Sequence, residues 1–277
     1  MVMTIQQWVN GKAVSELSLQ DRGLSYGHGV FETLRIAGGK LLLWPEHLER
    51  LLAGCQRLSI PTQWLAEQLQ QEMAALPSVE DGVLKIIVTA GEGGRGYRLP
   101  VQPSPTRILQ LMPVPVYPDL PAEHGIEARW CQIRLACAPA LAGIKHLNRL
   151  EQVLARAEWA DEHIREGILC GQDGYLAEGT MSNLFLVYDG VLITPDLHDY
   201  GVAGIMRQHL MALAGSAGIS VEVKKLQPKD LLGADEVFFC NSLIGIWPLR
   251  LLEQQVFIPG PVTRRLQALL TESYCAC

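Results

Sequence analysis

The 277-residue chain has no CxxC pair, no run of lysines and arginines, and no uninterrupted apolar stretch of membrane-spanning length. Each absence removes a class of function. Seven cysteines, at 55, 131, 137, 170, 240, 275 and 277, lack the paired spacing and accompanying histidines that tetrahedral zinc requires, so no metal is expected. Reduced thiols in a cytosol are the expected state. A net charge of -6 and a pI near 5.7 speak against nucleic acid or an anionic membrane as partner. The opening MVMTIQQWVNGK lacks the basic flank, apolar core and small-residue cleavage site of a signal peptide, so a cytoplasmic protein is expected. No GxSxG, HExxH or Walker-type loop occurs, which removes the main support for serine hydrolase, zinc hydrolase and P-loop chemistry.

What remains is a globular composition, 48% hydrophobic and 19% charged, long enough for one large or two mid-sized domains. TIQQWV, the Asn10-Gly11 turn and SYGHGVFETLRI predict strands joined by turns over residues 4–36. From Pro45 the spacing of Leu48, Leu51, Leu52 and Cys55 predicts a helix, and a second is expected over 62–75. GVLKIIVTA and TRILQLMPV predict strands. The proline-rich, aperiodic VPVYPDLPAE divides an N-terminal domain, 1–115, from a C-terminal one, 124–277, with 116–123 as linker. Beyond it GIEARWCQIRLA predicts a strand. Asn148 and Glu151 predict a capping box for a helix with the stripe Leu150, Val153, Leu154 and Ala157. A hairpin tipped by Asp189-Gly190, a helix opened by Gly204, the strand EVFFCNS and a terminal helix from Pro261 complete an α+β chain.

Within LAGIKHLNRLEQVL one lysine stands among small and apolar residues, where a cation is costly. Lys145 either snorkels to water or has a chemical task. GEGGRG, at 91–96, has the spacing of a dinucleotide-binding turn, but YRLPVQPSP follows instead of a helix, and 111–116 hold no carboxylate. A loop presenting Arg95 and Tyr97 is the better reading. Gly201 and Gly204 precede a helix whose unpaired amides and dipole suit a phosphate, though glycine there also serves simple turns. Asn241-Ser242 either adds an amide and a hydroxyl to that phosphate or caps its strand. Arg50 lies off its helix's apolar stripe, as a solvated arginine does, and Glu178 lies between a strand and a glycine. A lysine nucleophile, a carboxylate and phosphate-binding elements together form the set that pyridoxal phosphate asks for.

DRGLSYGHGVFETLR, GGRGY, LAGIKHLNRLEQVLAR, EGTMSNLF and GIMRQ resemble the class IV, D-amino-acid and branched-chain aminotransferase-like family of pyridoxal phosphate enzymes, over nearly the whole chain. Within that family KHLNRLEQ is most similar to the aminodeoxychorismate lyases. The resemblance implies the two-domain α+β fold of that family, with pyridoxal 5'-phosphate in a cleft and a homodimer. It implies that Lys145 is the Schiff-base lysine and proton-transfer base, and that Glu178 meets the pyridine nitrogen. Arg50, the amides of Gly204, Ile205 and Met206, and the Asn241-Ser242 turn are implied as phosphate ligands. Thr33 is implied near the leaving group, and Glu32 stands where some lyases carry a second threonine. Arg95, Tyr97 and Arg35 are implied at the substrate carboxylates, while Tyr26 and His28 line the pocket or the dimer seam, or serve packing alone. The expected reaction splits a small-molecule dicarboxylate, 4-amino-4-deoxychorismate, into 4-aminobenzoate and pyruvate, a step toward folate. A D-amino-acid or branched-chain aminotransferase on the same scaffold is the alternative.

Overall fold

The structure is a computed structural model that describes residues 5–14 and 16–275. The chain divides into two compact units, Met1–Pro115 with Ile144–Asn148, and Val116–Gly143 with Arg149–Cys277.

The first unit runs β1 (Gln6–Val9), α1 (Arg22–Tyr26), β2 (Gly29–Ala37), β3 (Lys40–Leu41), α2 (Trp44–Arg57), α3 (Leu65–Ala74), β4 (Gly82–Thr89) and β5 (Thr106–Met112). Its strands form one antiparallel sheet in the order β1-β5-β4-β2-β3. Alternation decides which face is covered. Val30, Leu34, Ile36, Leu84, Ile86, Val88, Leu109 and Leu111 turn toward α2 and α3 and pack with Leu51, Cys55, Leu65 and Leu69. Each such side chain contributes about 1.5–3 kcal/mol on burial. The odd-numbered residues of β2 and β4 look out from the opposite face. One expectation fails here: residues 22–26 form a helix, not a strand or turn. Asp21 accepts the Gly23 amide at 2.7 Å and Gly27 ends the turn at φ 63°, so a local cap outweighs the strand-like composition.

The second unit runs α4 (Pro121–His124), β6 (Ile126–Leu135), α5 (Leu150–Arg156), β7 (Ile164–Gly171), β8 (Leu176–Gly179), β9 (Asn183–Tyr188), β10 (Val191–Pro195), α6 (Ile205–Ser216), β11 (Val221–Lys224), α7 (Pro228–Leu232), β12 (Glu236–Asn241), β13 (Gly245–Leu252), β14 (Gln255–Val256) and α8 (Pro261–Cys275). A mixed sheet follows the order β11-β10-β9-β12-β13-β6-β7-β8, with β14 on β13. Its core gathers Ile126, Ile168, Leu184, Leu186, Phe239 and Trp247. The Asp189-Gly190 hairpin forms as expected, with φ 47° and 78° at its tip. The capping box does not. Asn148 donates to the Gly27 carbonyl at 3.1 Å and Glu151 accepts the Ala136 amide at 2.8 Å, so both groups are used elsewhere and α5 begins without a side-chain cap. Its stripe is also exposed: Leu150, Val153 and Leu154 lie on the surface while Ala155 is buried. Strand β13, with Pro248 inside it, was not foreseen from the sequence, because proline removes a ladder donor. Among the described residues no helix is long and apolar enough to cross a membrane.

Candidate active site

In the first unit, the segment 144–148 lies along β2. The Phe31 amide donates to the Lys145 carbonyl at 2.9 Å, and the Leu147 amide donates to that of Gly29, also at 2.9 Å. Ladder bonds therefore set where Lys145 sits. Its Nζ lies 4.4 Å from the centre of the Phe31 ring, within cation–π range. Thr33 and Arg35 follow Phe31 on the same face of β2. Arg35 is occupied at the sheet end, donating to the carbonyls of Ile36 and Gly82 and pairing with Asp81 at 3.1 Å.

The intervening residue, Glu32, faces the core and is 1% exposed. Arg50, from α2, donates Nε to Glu32 Oε1 at 2.7 Å and Nη2 to Oε2 at 2.5 Å, a two-point fork. His47 Nδ1 lies 2.7 Å from Oε2, so it is the donor to this carboxylate. Arg50 is thus not a solvated arginine: its guanidinium is fixed by a buried anion. Sequence reasoning left the role of Glu32 open. The signal was present, since alternation in VFETLRI puts Glu32 on the face of Val30 and Leu34, where a carboxylate needs cationic company.

Burial by itself raises the Glu32 pKa, but the bond from His47 and the charge and bonds of Arg50 outweigh it and hold the carboxyl below its ordinary value of 4.5. A depressed folded pKa gives stability that is full above the unfolded value and lost as pH falls through the folded one. Glu32→Gln is therefore expected to cost about 3 kcal/mol at pH 7, as for a broken buried pair. The difference from wild type in unfolding free energy should shrink below about pH 4.5. Denaturant titrations at several pH values check this; a difference independent of pH would refute the ion-pair role.

Residues 91–98 form the loop expected for Arg95 and Tyr97, both exposed. Its conformation is set by a residue the sequence reading passed over. The buried guanidinium of Arg22 donates to the carbonyls of Gly96, Tyr97 and Arg98, with its Nε directed at His28 Nδ1 at 3.2 Å. His28 Nε2 lies 2.8 Å from the Leu58 carbonyl, so both ring nitrogens are engaged within the protein. Tyr26 meets Tyr97 in a tilted ring contact, with centres 5.4 Å apart and an interplanar angle of 58°.

In the second unit, Glu178 on β8 is 4% exposed and its Oε2 accepts the Val202 amide at 2.8 Å. Asn183, which opens β9, donates to the carbonyl of the same Val202 at 2.9 Å. Two side chains thus hold the segment that leads into α6. Gly204 is the N-cap of this 12-residue helix and offers no side-chain cap to the first-turn amides. A Cβ at Gly204 would stand 1.9 Å from Asn183 Oδ1, so only glycine allows this approach. Ile205 and Met206 bury their side chains and leave their amides at the helix start. Asn241, at the end of β12, accepts the amides of Leu243 and Ile244 and donates to the Met181 carbonyl, which fixes the turn that carries Ser242. The 179–182 loop is held from beneath by Glu166, whose fully buried carboxylate accepts the Thr180 amide at 2.8 Å and the Ser182 hydroxyl at 2.6 Å. Burial pushes the Glu166 pKa up, and these donors oppose it. Nearby, burial draws the Arg149 pKa down while the charges of Glu178 and Glu151 support its cation.

Three comparisons bear on this arrangement. The family model for Amino-transferase class IV matches residues 29–252. The aminodeoxychorismate lyase of Vibrio harveyi is 38% identical over 267 residues, covering 95% of this chain and 98% of that protein. Among solved structures, 4-amino-4-deoxychorismate lyase from Pseudomonas aeruginosa superposes with a TM-score of 0.91 at 48% identity, covering 96% of this chain and 98% of that one. The branched-chain amino acid aminotransferase from Escherichia coli follows with a TM-score of 0.82 at 27% identity, over 95% and 91% of the two chains.

Proposed function

As the chain belongs to the class IV aminotransferase family, we propose that it is a pyridoxal-phosphate-dependent 4-amino-4-deoxychorismate lyase, releasing 4-aminobenzoate and pyruvate. The observation that carries the reading is likeness over nearly the whole length of two lyases, supported by the ladder that holds Lys145 against Phe31 of β2, two residues before Thr33 on the same face. The donor set also fits the cofactor. It includes a primary amine, a buried carboxylate held by a backbone amide, an arginine fixed by Glu32, and a 12-residue helix whose first turn no side chain caps.

Lys145 would hold the cofactor's aldehyde carbon, Glu178 its ring nitrogen, and Arg50, the 204–206 amides and the Asn241-Ser242 turn its phosphate. Bound there, pyridoxal phosphate supplies an electrophile for the substrate amine and a ring that accepts electrons. Lys145 Nζ then removes the proton from the ring carbon bearing nitrogen. The carbon–oxygen bond to the enolpyruvyl arm breaks with its electron pair going to oxygen, and the Thr33 hydroxyl hydrogen-bonds that oxygen or passes it a proton. The six-membered ring becomes aromatic, and the departing enol rearranges to pyruvate. The elimination is redox-neutral overall, so no keto acid is consumed. Arg95 and Tyr97 serve the substrate from a loop that Arg22 fastens in place.

A homodimer accords with the exposed apolar face of α5, where Leu150, Val153 and Leu154 are 73%, 59% and 55% exposed. A cytoplasmic setting accords with the free thiols of Cys55, Cys131, Cys137, Cys170 and Cys240.

The purified protein, loaded with cofactor, is expected to release pyruvate from 4-amino-4-deoxychorismate with no keto acid present. Strict dependence on a keto-acid acceptor would transfer the assignment to an aminotransferase. Borohydride treatment should leave a pyridoxyl mass on the peptide that contains Lys145; an unlabelled peptide from protein that has bound the cofactor would refute its role.

A further inference from the structure

Arg22 opens α1 with 3% of its surface exposed, yet among the described residues it makes no ion pair. The neighbouring carboxylate is committed elsewhere: Asp21 Oδ1 accepts the Gly23 amide, and Oδ2 accepts the hydroxyls of Thr89 and Thr106 at 2.9 and 2.8 Å. A buried guanidinium without a counter-ion is costly, so its partners show what the charge is for. Nη1 donates to the carbonyls of Gly96 and Arg98 at 3.1 and 3.4 Å, Nη2 to that of Tyr97 at 2.7 Å, and Nε to His28 Nδ1 at 3.2 Å. The guanidinium carbon also lies 5.0 Å from the centre of the Tyr26 ring.

Three consecutive carbonyls of one loop thus converge on a single cation. Among the described residues, these are the only hydrogen bonds to residues 94–98. Close packing does not replace them, because a cleft of about 300 Å3, lined by Gln20, Ser25, Gly93, Gly94 and Arg95, lies between the loop and α1. Two glycines fit the chain to the arginine. Gly96 turns at φ 89°, and a Cβ at Gly93 would stand 2.8 Å from Arg22 Cδ. His28 is in turn fixed from the other side. Since Arg22 Nε is a donor, His28 Nδ1 is the acceptor, and the ring proton sits on Nε2, directed at the Leu58 carbonyl at 2.8 Å.

We propose that Arg22 and His28 act together as positioning residues that preset the loop carrying Arg95 and Tyr97, so that substrate affinity depends on two side chains that touch no substrate. The inference rests on the lyase reading for the identity of the substrate, and deepens it. The chain of contacts runs from the end of α2 through Leu58 and His28 to Arg22, and from there to the loop backbone on either side of Tyr97. A loop ordered before the substrate arrives has no ordering cost to subtract from binding. Without the guanidinium, Arg95 and Tyr97 would have to be ordered by the substrate itself.

Arg22→Met keeps a flexible stem beside Gly93 and removes the charge with all four bonds. With holoenzyme, KM for 4-amino-4-deoxychorismate is expected to rise about 10- to 100-fold with kcat within about threefold, as for a contribution shared by ground and transition states. Arg22→Lys keeps the charge and reaches fewer carbonyls, so its KM should fall between the two; it replaces methionine if that variant does not fold. His28→Leu should raise KM about 3- to 10-fold, and His28→Asn, which restores an acceptor near the place of Nδ1, should recover most of that loss. Trypsin supplies a readout that needs no substrate: cleavage after Arg95 and Arg98, identified by fragment mass, should be about tenfold faster in Arg22→Met, because more of the loop is open. An unchanged KM in Arg22→Met overturns the proposal even if cleavage is faster, since Arg22 would then be a strut without a part in binding. A rise in KM accompanied by loss of the bound cofactor's visible absorbance also overturns it, as general damage to the fold. A wild-type holoenzyme that releases no pyruvate overturns the lyase reading instead, and the trypsin comparison then decides alone whether Arg22 holds the loop.

Discussion

Lys145→Ala is expected to reduce pyruvate release by about 10⁴-fold or more, since the side chain is asked to act both as nucleophile and as proton-transfer base. Loss of proton transfer alone accounts for 10²–10⁴-fold in general acid–base catalysis, on the order of 3–5 kcal/mol of barrier. The fold should survive. What holds the segment is the backbone: the Phe31 amide still meets the carbonyl of residue 145, and Leu147 still meets Gly29. The side chain's cation–π contact with Phe31 is a matter of about 0.5–1 kcal/mol, or a few degrees in thermal midpoint. Activity and thermal unfolding measured on the same preparation separate the two effects. Residual turnover within about tenfold of wild type would mean that another group removes the ring proton.

Much of this fold could be read ahead of the structure because its signals are local. The i, i+3, i+4, i+7 spacing of Leu48, Leu51, Leu52 and Cys55 survives as the buried seam of α2, and Asp189-Gly190 turns the β9–β10 hairpin. The residues on β8, α6 and β12 drew notice in the same way, through turn glycines and strand ends, and it was the family resemblance that implied their roles. What escaped is non-local. Glu32 and Arg50 lie 18 positions apart, and only the packing of α2 on β2 makes them a pair. Lys85 and Thr33 face each other only through the register of β4 on β2, which no single segment reveals. Asn148 and Glu151 show the converse failure. Their spacing satisfies a capping rule, yet Gly27 and the Ala136 amide claim their side chains. A local rule describes what a residue can bond and leaves open which partner the fold brings closest.

Glu178→Gln should lower kcat by about 100-fold while leaving the protein folded, and the contrast with Glu178→Ala locates the cause. A carboxylate within reach of a cationic ring nitrogen favours the charged form by one to three pKa units, so its neutral isostere forfeits on the order of 10- to 1000-fold in the protonated fraction. Glutamine preserves shape, and its carbonyl oxygen accepts the Val202 amide as Oε2 does at 2.8 Å, so the approach to α6 through Val202 and Gly204 keeps its anchor. Alanine removes both the charge and that anchor. It leaves a buried amide without its acceptor, which costs about 1–3 kcal/mol, and loosens the helix start proposed to hold the phosphate. The expected pattern is a kcat defect in both variants, with weakened cofactor retention in Glu178→Ala alone. Steady-state kinetics and cofactor dissociation after dialysis measure the two quantities separately. If Glu178→Gln retained wild-type kcat, the carboxylate would be a strut for the Val202 segment and the charge assignment would fail; if both variants lost cofactor equally, the charge would anchor the ring more than Val202 anchors the helix.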